Sequence, residues 1–353
     1  MYLPSGVYHE TYRADNAWWQ TTFVRAKMAL LVLLLLVGLP LAGNYPLSIA
    51  NVIGYTILSA LGVQVLIGYC GMITLGHAAF IAVGAYVTAI GMLRYGLPYS
   101  VSMALGAILA GLWSVLFGLP SARVKGFYLI MTTMAAQFVT VDFIITHYVS
   151  RVGGRGHYFS LPPGTITIGP WVIDTELKVY YLMIGLVTLC TVGMANLLRT
   201  RVGRAWIAIR DNDIAAEMMG VNVVRYKLLA FFVAGVLGGV AGAFWISSLY
   251  VVSAEHFQFS WSLWLVGVIL IGGVGSLHGV IFGSIFVTVL LEGLKFAVIP
   301  LSDAFPALST GFLYIKEGVF GLAIVLFLLY EPHGLAYRWQ QFKNYFNLWP
   351  FAY

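Results

Sequence analysis

The side chains able to do chemistry are few in this chain and fall in three places. The first is a glycine-rich stretch, Gly68-Tyr-Cys-Gly-Met-Ile-Thr-Leu-Gly-His-Ala-Ala-Phe-Ile-Ala-Val-Gly-Ala-Tyr86, in which Thr74, His77 and Tyr86 set hydrogen-bonding groups among apolar neighbours. Gly68, Gly71, Gly76 and Gly84 permit either close helix packing or local unwinding inside a bilayer, and the pattern alone does not choose between them. His77 reads first as a structural hydrogen-bond donor and second as a substrate or proton site. The second place is Gly272-Gly273-Val274-Gly275, which precedes Ser276 and His278 much as Gly68 and Gly71 precede His77. Glycine-interrupted segments in two halves of a membrane protein point to a route between them. Gly71, Thr74, Gly76, His77, Phe80, Gly272, Gly273, Gly275 and Ser276 are therefore the candidate pathway residues.

The third place is polar. Between Gly203 and Gly220, Trp206, Ile209 and Asp213 stand at i, i+3 and i+7, and Ile214, Met218 and Met219 extend the apolar surface. Gly220 is placed to end a helix, and Asp211 or Asp213 to cap a second short one. A short helix that shows Trp, Ile and Met to water needs a covering surface. Docking into a partner's groove supplies one; lying on lipid headgroups, favoured by Arg204 and Arg210, supplies another.

Motifs of other chemistries are missing. There is no Gly-x-x-x-x-Gly-Lys-Ser/Thr phosphate loop, so the chain does not bind ATP in that way, and no His-Glu-x-x-His, Cys-x-x-Cys or Gly-x-Ser-x-Gly. The reading is of a chain that is not an enzyme, with no cofactor and no metal. Cys70 and Cys190 lie far apart in apolar segments and form no metal or disulfide framework. Basic residues do not alternate with exposed aromatics, so nucleic acid is not a partner. Glu292 and Lys295, one helical turn apart, neutralise each other, Asp142 and His147 lie near a span end, and no ladder of buried acids points to proton or sodium drive.

The elements that position these residues are membrane spans. The 353 residues are 60% hydrophobic and 9% charged, with a mean hydropathy of +0.89, and a soluble domain does not keep so few charges. Apolar windows near 26–43, 46–68, 71–93, 100–119, 126–147, 179–198, 228–250, 261–276, 278–299 and 311–330 predict an all-α integral membrane protein of about ten transmembrane helices, surrounded by lipid bilayer. The short link 276–279 allows 261–299 to be one broken or re-entrant helix. With both termini cytoplasmic, Arg13, Arg25, Lys27, Arg123, Lys125, Arg199, Arg201, Arg204, Arg210, Arg225, Lys227, Arg338 and Lys343 fall inside, and Arg94, Arg151, Arg155 and Lys178 outside. That asymmetry follows the positive-inside rule and makes the net charge of +6 a topology signal. The external loop 148–178, with Gly153-Gly154 and the run Thr165 to Ile168, is expected to form turns and a short hairpin.

The 203–220 stretch, followed by Lys227-Leu-Leu-Ala-Phe-Phe, resembles the coupling region of the LivM/LivH-type permeases, the branched-chain amino acid class of ATP-binding-cassette importers. The Gly68–Tyr86 stretch, Gly272-Gly-Val-Gly-Ser-Leu-His-Gly279 and Glu331-Pro-His-Gly-Leu335 resemble the same family, in the expected order, and the length favours the LivM branch. The resemblance implies a cytoplasmic segment 1–25, a permease domain 26–335 and a tail 336–353, with 199–227 as the coupling loop. It also implies that Gly203, Arg204, Trp206, Ile209, Arg210, Asp213, Glu217 and Gly220 meet an ATPase, and that substituting Trp206 or Glu217 uncouples hydrolysis from uptake. The implied partners are a LivH-like second permease, two cytoplasmic ATPases and a periplasmic or extracellular solute-binding protein, at a bacterial or archaeal plasma (inner) membrane. Leucine, isoleucine or valine is the first substrate class implied, with urea, short amides or aromatic acids as alternatives. A secondary transporter or channel acting alone is the lesser reading. One departure stands in the external loop, where Val152-Gly-Gly-Arg-Gly-His-Tyr158 replaces the family's usual Thr-Gly-Gly pattern.

Overall fold

The computed structural model describes residues 11, 22–121, 126–151, 158–162, 164–169, 171–302 and 306–348. Helix α1 (Thr22–Leu33) runs into a π-helical turn (Leu34–Gly38), and α2 (Asn44–Val63) into another (Gln64–Tyr69). After a non-helical stretch come α3 (His77–Tyr95), α4 (Tyr99–Ser121) and α5 (Phe127–Phe138), the last prolonged by a π-helix (Val139–Ile145). Short strands β1 (Tyr158–Ser160), β2 (Thr167–Ile168) and β3 (Trp171–Val172) precede α6 (Glu176–Arg199). Then follow α7 (Arg201–Asp211), α8 (Asp213–Met218), α9 (Val223–Leu249), β4 (Val251–Ser253), α10 (Phe259–Gly272), α11 (Leu277–Ser302), α12 (Pro306–Tyr330) and α13 (Gly334–Leu348).

Among the described residues eight helices are long and apolar enough to cross a bilayer, and a bent pair, Tyr314–Tyr330 and Gly334–Phe346, brings the number to nine. Nine of the ten apolar windows overlap these candidate spans; the first, 26–43, falls on α1 and its π-turn, which are not among them, and 71–76 and 273–276 are not helical. The break considered within 261–299 separates two full helices, α10 and α11. The bend of 46° lies instead between α12 and α13, where Pro332 lacks the N–H needed to continue the helix. Helix α1 leaves Leu30, Leu31 and Leu33 exposed, and its π-turn leaves Leu34 exposed. Its π-turn is held to α6 by the Tyr180 and Tyr181 hydroxyls, which donate to the Leu35 and Leu36 carbonyls at 2.8 and 3.1 Å.

The centre is a tight packing of α3, α4 and α9. A Cβ added at Gly84 of α3 would lie 2.3 Å from the Gly239 Cα of α9, and one at Gly106 of α4 would lie 2.8 Å from the Gly84 carbonyl oxygen. In lipid, where hydrophobic exclusion does not drive helix against helix, such close backbone approach supplies the van der Waals attraction. The outer face of α4, with Leu105, Ile108, Leu109, Leu112 and Leu116, stays exposed, as a lipid-facing surface requires.

The end carrying 158–178 holds two small sheets. β2 and β3 form the expected hairpin, Thr167 opposite Val172. β1 pairs antiparallel with β4, Phe159 opposite Val252, which was not foreseen because β4 lies far along the chain. Tyr250, at φ +56, joins these pieces: its hydroxyl donates to the Ile173 carbonyl at 2.6 Å and its carbonyl accepts from the Leu161 N–H at 2.8 Å. Burial first, and the Asp174 and Glu176 charges next, push the Tyr250 hydroxyl above its ordinary pKa. The Lys178 ammonium, donating to Asp174 at 2.6 Å, holds that carboxyl below its ordinary value. Gly153, Gly154, Arg155 and His157, like Arg123, Lys125 and most of 1–25, lie outside the described residues.

Candidate translocation and coupling site

Two helix interruptions define the site. α2 with its π-turn ends at Tyr69 and α3 begins only at His77, while Met72, Thr74 and Gly76 between them are buried. A helix that starts inside the bundle has N–H groups that water cannot satisfy. Polar side chains from other helices meet this need. The Leu75 N–H donates to Thr133 Oγ1 (3.2 Å), the Ala78 N–H to Ser262 Oγ (2.9 Å) and the Ala79 N–H to Gln137 Oε1 (2.7 Å). Gln137 is itself fixed, donating through Nε2 to the Phe257 carbonyl at 2.6 Å. A Cβ at Gly76 would fall 2.1 Å from the Thr133 carbonyl oxygen, so the approach of α5 requires glycine there. Thr133, Gln137 and Ser262 were missed in the sequence; the i, i+4 pair of polar residues in an apolar span was the available signal.

His77 and Phe80 lie deeper, their rings edge to face at 5.8 Å. His77 fits against Gly62 of α2 and Gly238 of α9, where an added Cβ would lie 2.3 and 3.3 Å from the imidazole. The structural hydrogen bond expected of His77 is not formed. Both ring nitrogens are buried without a partner, and the nearby Ser59 carbonyl makes no hydrogen bond of normal geometry with them.

The second interruption parts α10 from α11. Gly273 and Gly275 adopt φ of +120 and +82, which other residues rarely reach. Gln64 Nε2 donates to the Gly273 and Ser276 carbonyls at 3.2 and 3.0 Å, and the Gly279 N–H donates to Ser276 Oγ at 3.3 Å. Gly272 packs on α11, with room for no Cβ beside the Gly279 carbonyl. The two interruptions touch: a Cβ at Gly68 would sit 2.7 Å from the Gly275 nitrogen. The sequence parallel between His77 and His278 does not carry into space, since His77 is buried and His278 exposed.

Arg210 of α7 sits on this junction. Its Nη1 donates to the Gly68 carbonyl at 3.0 Å, and its Nε and Nη2 donate to Asp211 Oδ1 at 3.1 and 3.0 Å. Its stem covers Gly71, where a Cβ would approach Arg210 Cγ to 3.0 Å, and its Nη1 stands as close to the Cβ position of Gly275. One side chain of α7 thus contacts both interruptions.

The 203–220 stretch is two helices. Thr200 caps α7, accepting from the Val202 N–H at 3.2 Å. Asn212, not Asp211 or Asp213, caps α8, accepting from the Ile214 and Ala215 N–H groups at 3.1 and 3.0 Å. Gly220, at φ +85, closes α8 as expected: its N–H donates to Glu217 and the Val221 N–H to Ala216, the Schellman pattern. The expected outward face is corrected. Trp206 is fully buried and Ile209 nearly so. The Trp206 indole donates to the Tyr226 carbonyl at 2.9 Å, because α7 folds back on the start of α9. Asp213 faces inward to Lys227 at 3.6 Å, and Gly203 lies against the Leu198 backbone. What stays open is Ile214 (66% exposed), Met218 and Met219 (85% each), with Arg204, Glu217 and Gly220 also exposed.

A bundle of apolar helices with two partly buried interruptions, tied at one end to a short polar helix pair, defines a polytopic membrane permease. The family described as "Branched-chain amino acid transport system / permease component" matches residues 45–328, and the chain belongs to it. It is a multi-pass permease of the bacterial or archaeal plasma membrane, a transport subunit and not an enzyme. The chain is 27% identical over 335 residues to the high-affinity branched-chain amino acid transport system permease protein LivM of Escherichia coli, covering 88% of this chain and 75% of the relative. It is 27% identical over 237 residues to the autoinducer 2 import system permease protein LsrC of Photorhabdus luminescens, 60% of this chain and 71% of that one. It is also 27% identical over 209 residues to the fructose import permease protein FrcC of Rhizobium meliloti, 57% of each. No solved structure matches at a significant level.

Proposed function

We propose that this chain is one of two permeases in an ATP-driven importer of branched-chain amino acids. Its partners are a LivH-like second permease, two cytoplasmic ATPases and an external solute-binding protein. The observation that carries the reading is the Arg210 junction, where a short helix pair outside the bundle grips both interruptions inside it. In this reading ATP-driven closure of the ATPases moves α7 and α8 as a unit, and the interruptions at Gly71–Gly76 and Gly273–Ser276 change access between the two membrane faces. The ATPase surface comprises Ile214, Glu217, Met218 and Met219, while Trp206, Ile209 and Asp213 hold α7 and α8 to the bundle.

The substrate class rests on coverage, since the LivM relative is matched over more of this chain than the LsrC or FrcC relatives. Those two relatives make a second reading specific, the same machine carrying an autoinducer or a sugar. Proteoliposomes holding the whole complex decide between them. ATP-dependent uptake of labelled leucine that unlabelled valine competes away, with none of fructose, is the expected result. Leucine uptake by this chain alone without ATP would instead establish a stand-alone transporter.

A further inference from the structure

Helix α13 has the composition of a helix that lies at a membrane surface. Its 15 residues include Arg338 and Lys343 and no acid, and Tyr337, Trp339, Phe342, Tyr345 and Phe346 stay exposed. Trp and Tyr with basic neighbours collect where lipid headgroups meet acyl chains. The position of α13 agrees. Gly334, at φ +75, sets its first turn against the second interruption, where an added Cβ would lie 2.6 Å from the Gly273 Cα. Gly275 in turn meets Arg210. α13 thus begins at the end of the bundle that carries α7, with Arg199, Arg201, Arg204 and Arg225, and the positive-inside rule turns that end to the cytoplasm.

Between α13 and α11 runs a groove of about 1090 Å³. Ile285 and Val289 of α11 form its exposed floor. They belong to a candidate span, Leu277–Val298, which sets the floor at the depth of acyl chains. Trp339 meets Phe282 at 5.7 Å and Phe342 stacks on Trp339 at 6.1 Å, so aromatic rings form the wall on the α13 side. The charged side chain of the lining is Arg338. Its Nε and Nη2 meet Glu331, and its Nη1 faces Gln341 Oε1 at 3.5 Å, the outer limit of a hydrogen bond. Lys343 shares α13 but not the lining. An apolar groove at acyl-chain depth is open to lipid, and a guanidinium at its rim favours a phosphate with net negative charge. We propose that α11 and α13 bind one anionic phospholipid of the cytoplasmic leaflet, an acyl chain lying on Ile285 and Val289 and the headgroup phosphate accepting from Arg338 Nη1. The Glu331 carboxylate fixes the guanidinium for that contact. A lipid so held lies one contact from the second interruption.

The test is photolabelling of the whole complex in phosphatidylcholine nanodiscs. They carry a trace of phosphatidylglycerol with a diazirine midway along one acyl chain. Illumination should label peptides spanning 282–290 and 335–345, read by mass spectrometry. Replacing part of the phosphatidylcholine by unlabelled phosphatidylglycerol should remove most of that label. Boundary lipid without a site would be labelled in proportion to the reagent alone, and label that resists the replacement overturns the proposal. So does the absence of label from both peptides, the result if the sister permease or an ATPase covers the groove. Arg338→Gln should raise the phosphatidylglycerol needed for half displacement about fivefold, the worth of one basic residue near a lipid surface. Lys343→Gln, the same loss of charge outside the lining, should raise it less. Equal effects of the two variants would mean diffuse attraction to the membrane and overturn the site. Both lie on an exposed helix, and intact ATP hydrolysis verifies each assembly. The labelling needs neither ATP nor solute, so a failure of leucine uptake would refute the amino-acid reading and leave this result standing.

Discussion

Trp206 shows what changes when a residue is read in space. Asp213 lies on α8, beyond the extended Asn212, but the spacing of Trp206 with Ile209 is that of one helix face, and that much is visible in the sequence. Which surface covers the face is not, because the covering residue, Tyr226, arrives twenty positions later by a turn at Gly220. With the indole fully buried, Trp206→Ala should cost about 3–5 kcal/mol of stability, as large-to-small changes in cores do, and lower the melting temperature of the purified complex. Asp213→Ala should be nearly as damaging, since it leaves the buried Lys227 ammonium without its counter-charge. Exposed Glu217→Ala should leave the melting temperature where it was and change only ATPase docking. Equal melting temperatures for the Asp213 and Glu217 variants would contradict the inward placement of Asp213. At the opposite end, Asp174 has a lowered pKa, so the stabilisation from its pair with Lys178 is complete above the unfolded value near 3.9 and is lost as pH falls through the folded one. Proteolysis of the loop at 158–178 should therefore be flat from pH 7 to about 5 and rise only below about 4, and only slightly, because the pair is exposed.

Among the elements, α3 and α8 depend on capping side chains. α3 starts inside the bundle only because Thr133, Gln137 and Ser262 take its free N–H groups. Gln137→Leu is isosteric enough to pack but leaves the Phe257 carbonyl without the Gln137 amide and the Ala79 N–H with only the Gly76 carbonyl at 3.3 Å, so it should destabilise the complex by roughly 1–3 kcal/mol, read by thermal unfolding. α8 should lose about 1 kcal/mol with Asn212→Ala, seen as faster hydrogen exchange at Ile214 and Ala215. The apolar windows of the sequence cover the eight or nine candidate spans found among the described residues, because burial in lipid needs only a long apolar run. They do not locate where a helix is interrupted. Gly71, Gly76, Gly273 and Gly275 announce close approach or unwinding equally well, and the choice is made by Gln64, Thr133 and Arg210, which lie on other segments. Capping by Asn212 in place of its acidic neighbours is likewise a matter of which residue takes the extended backbone between α7 and α8.

At the scale of the whole molecule, the trio α3, α4 and α9 is packed glycine against backbone, and in the proposed reading it is the fixed body beside which the interruptions move. Helices α7 and α8 are held to the start of α9 by the Trp206–Tyr226 hydrogen bond and the Asp213–Lys227 pair, and Arg210 joins α7 to the interruptions. In the proposed reading, drive and route meet at this guanidinium, which hydrogen-bonds the Gly68 carbonyl at 3.0 Å. The most direct measurement is the ratio of labelled leucine taken up to ATP hydrolysed by the reconstituted complex carrying Arg210→Ala. The expected result is continued hydrolysis with uptake per ATP lowered about 5- to 150-fold, the range of a coupling free energy of about 1–3 kcal/mol. An unchanged ratio, with the complex intact, would contradict the account.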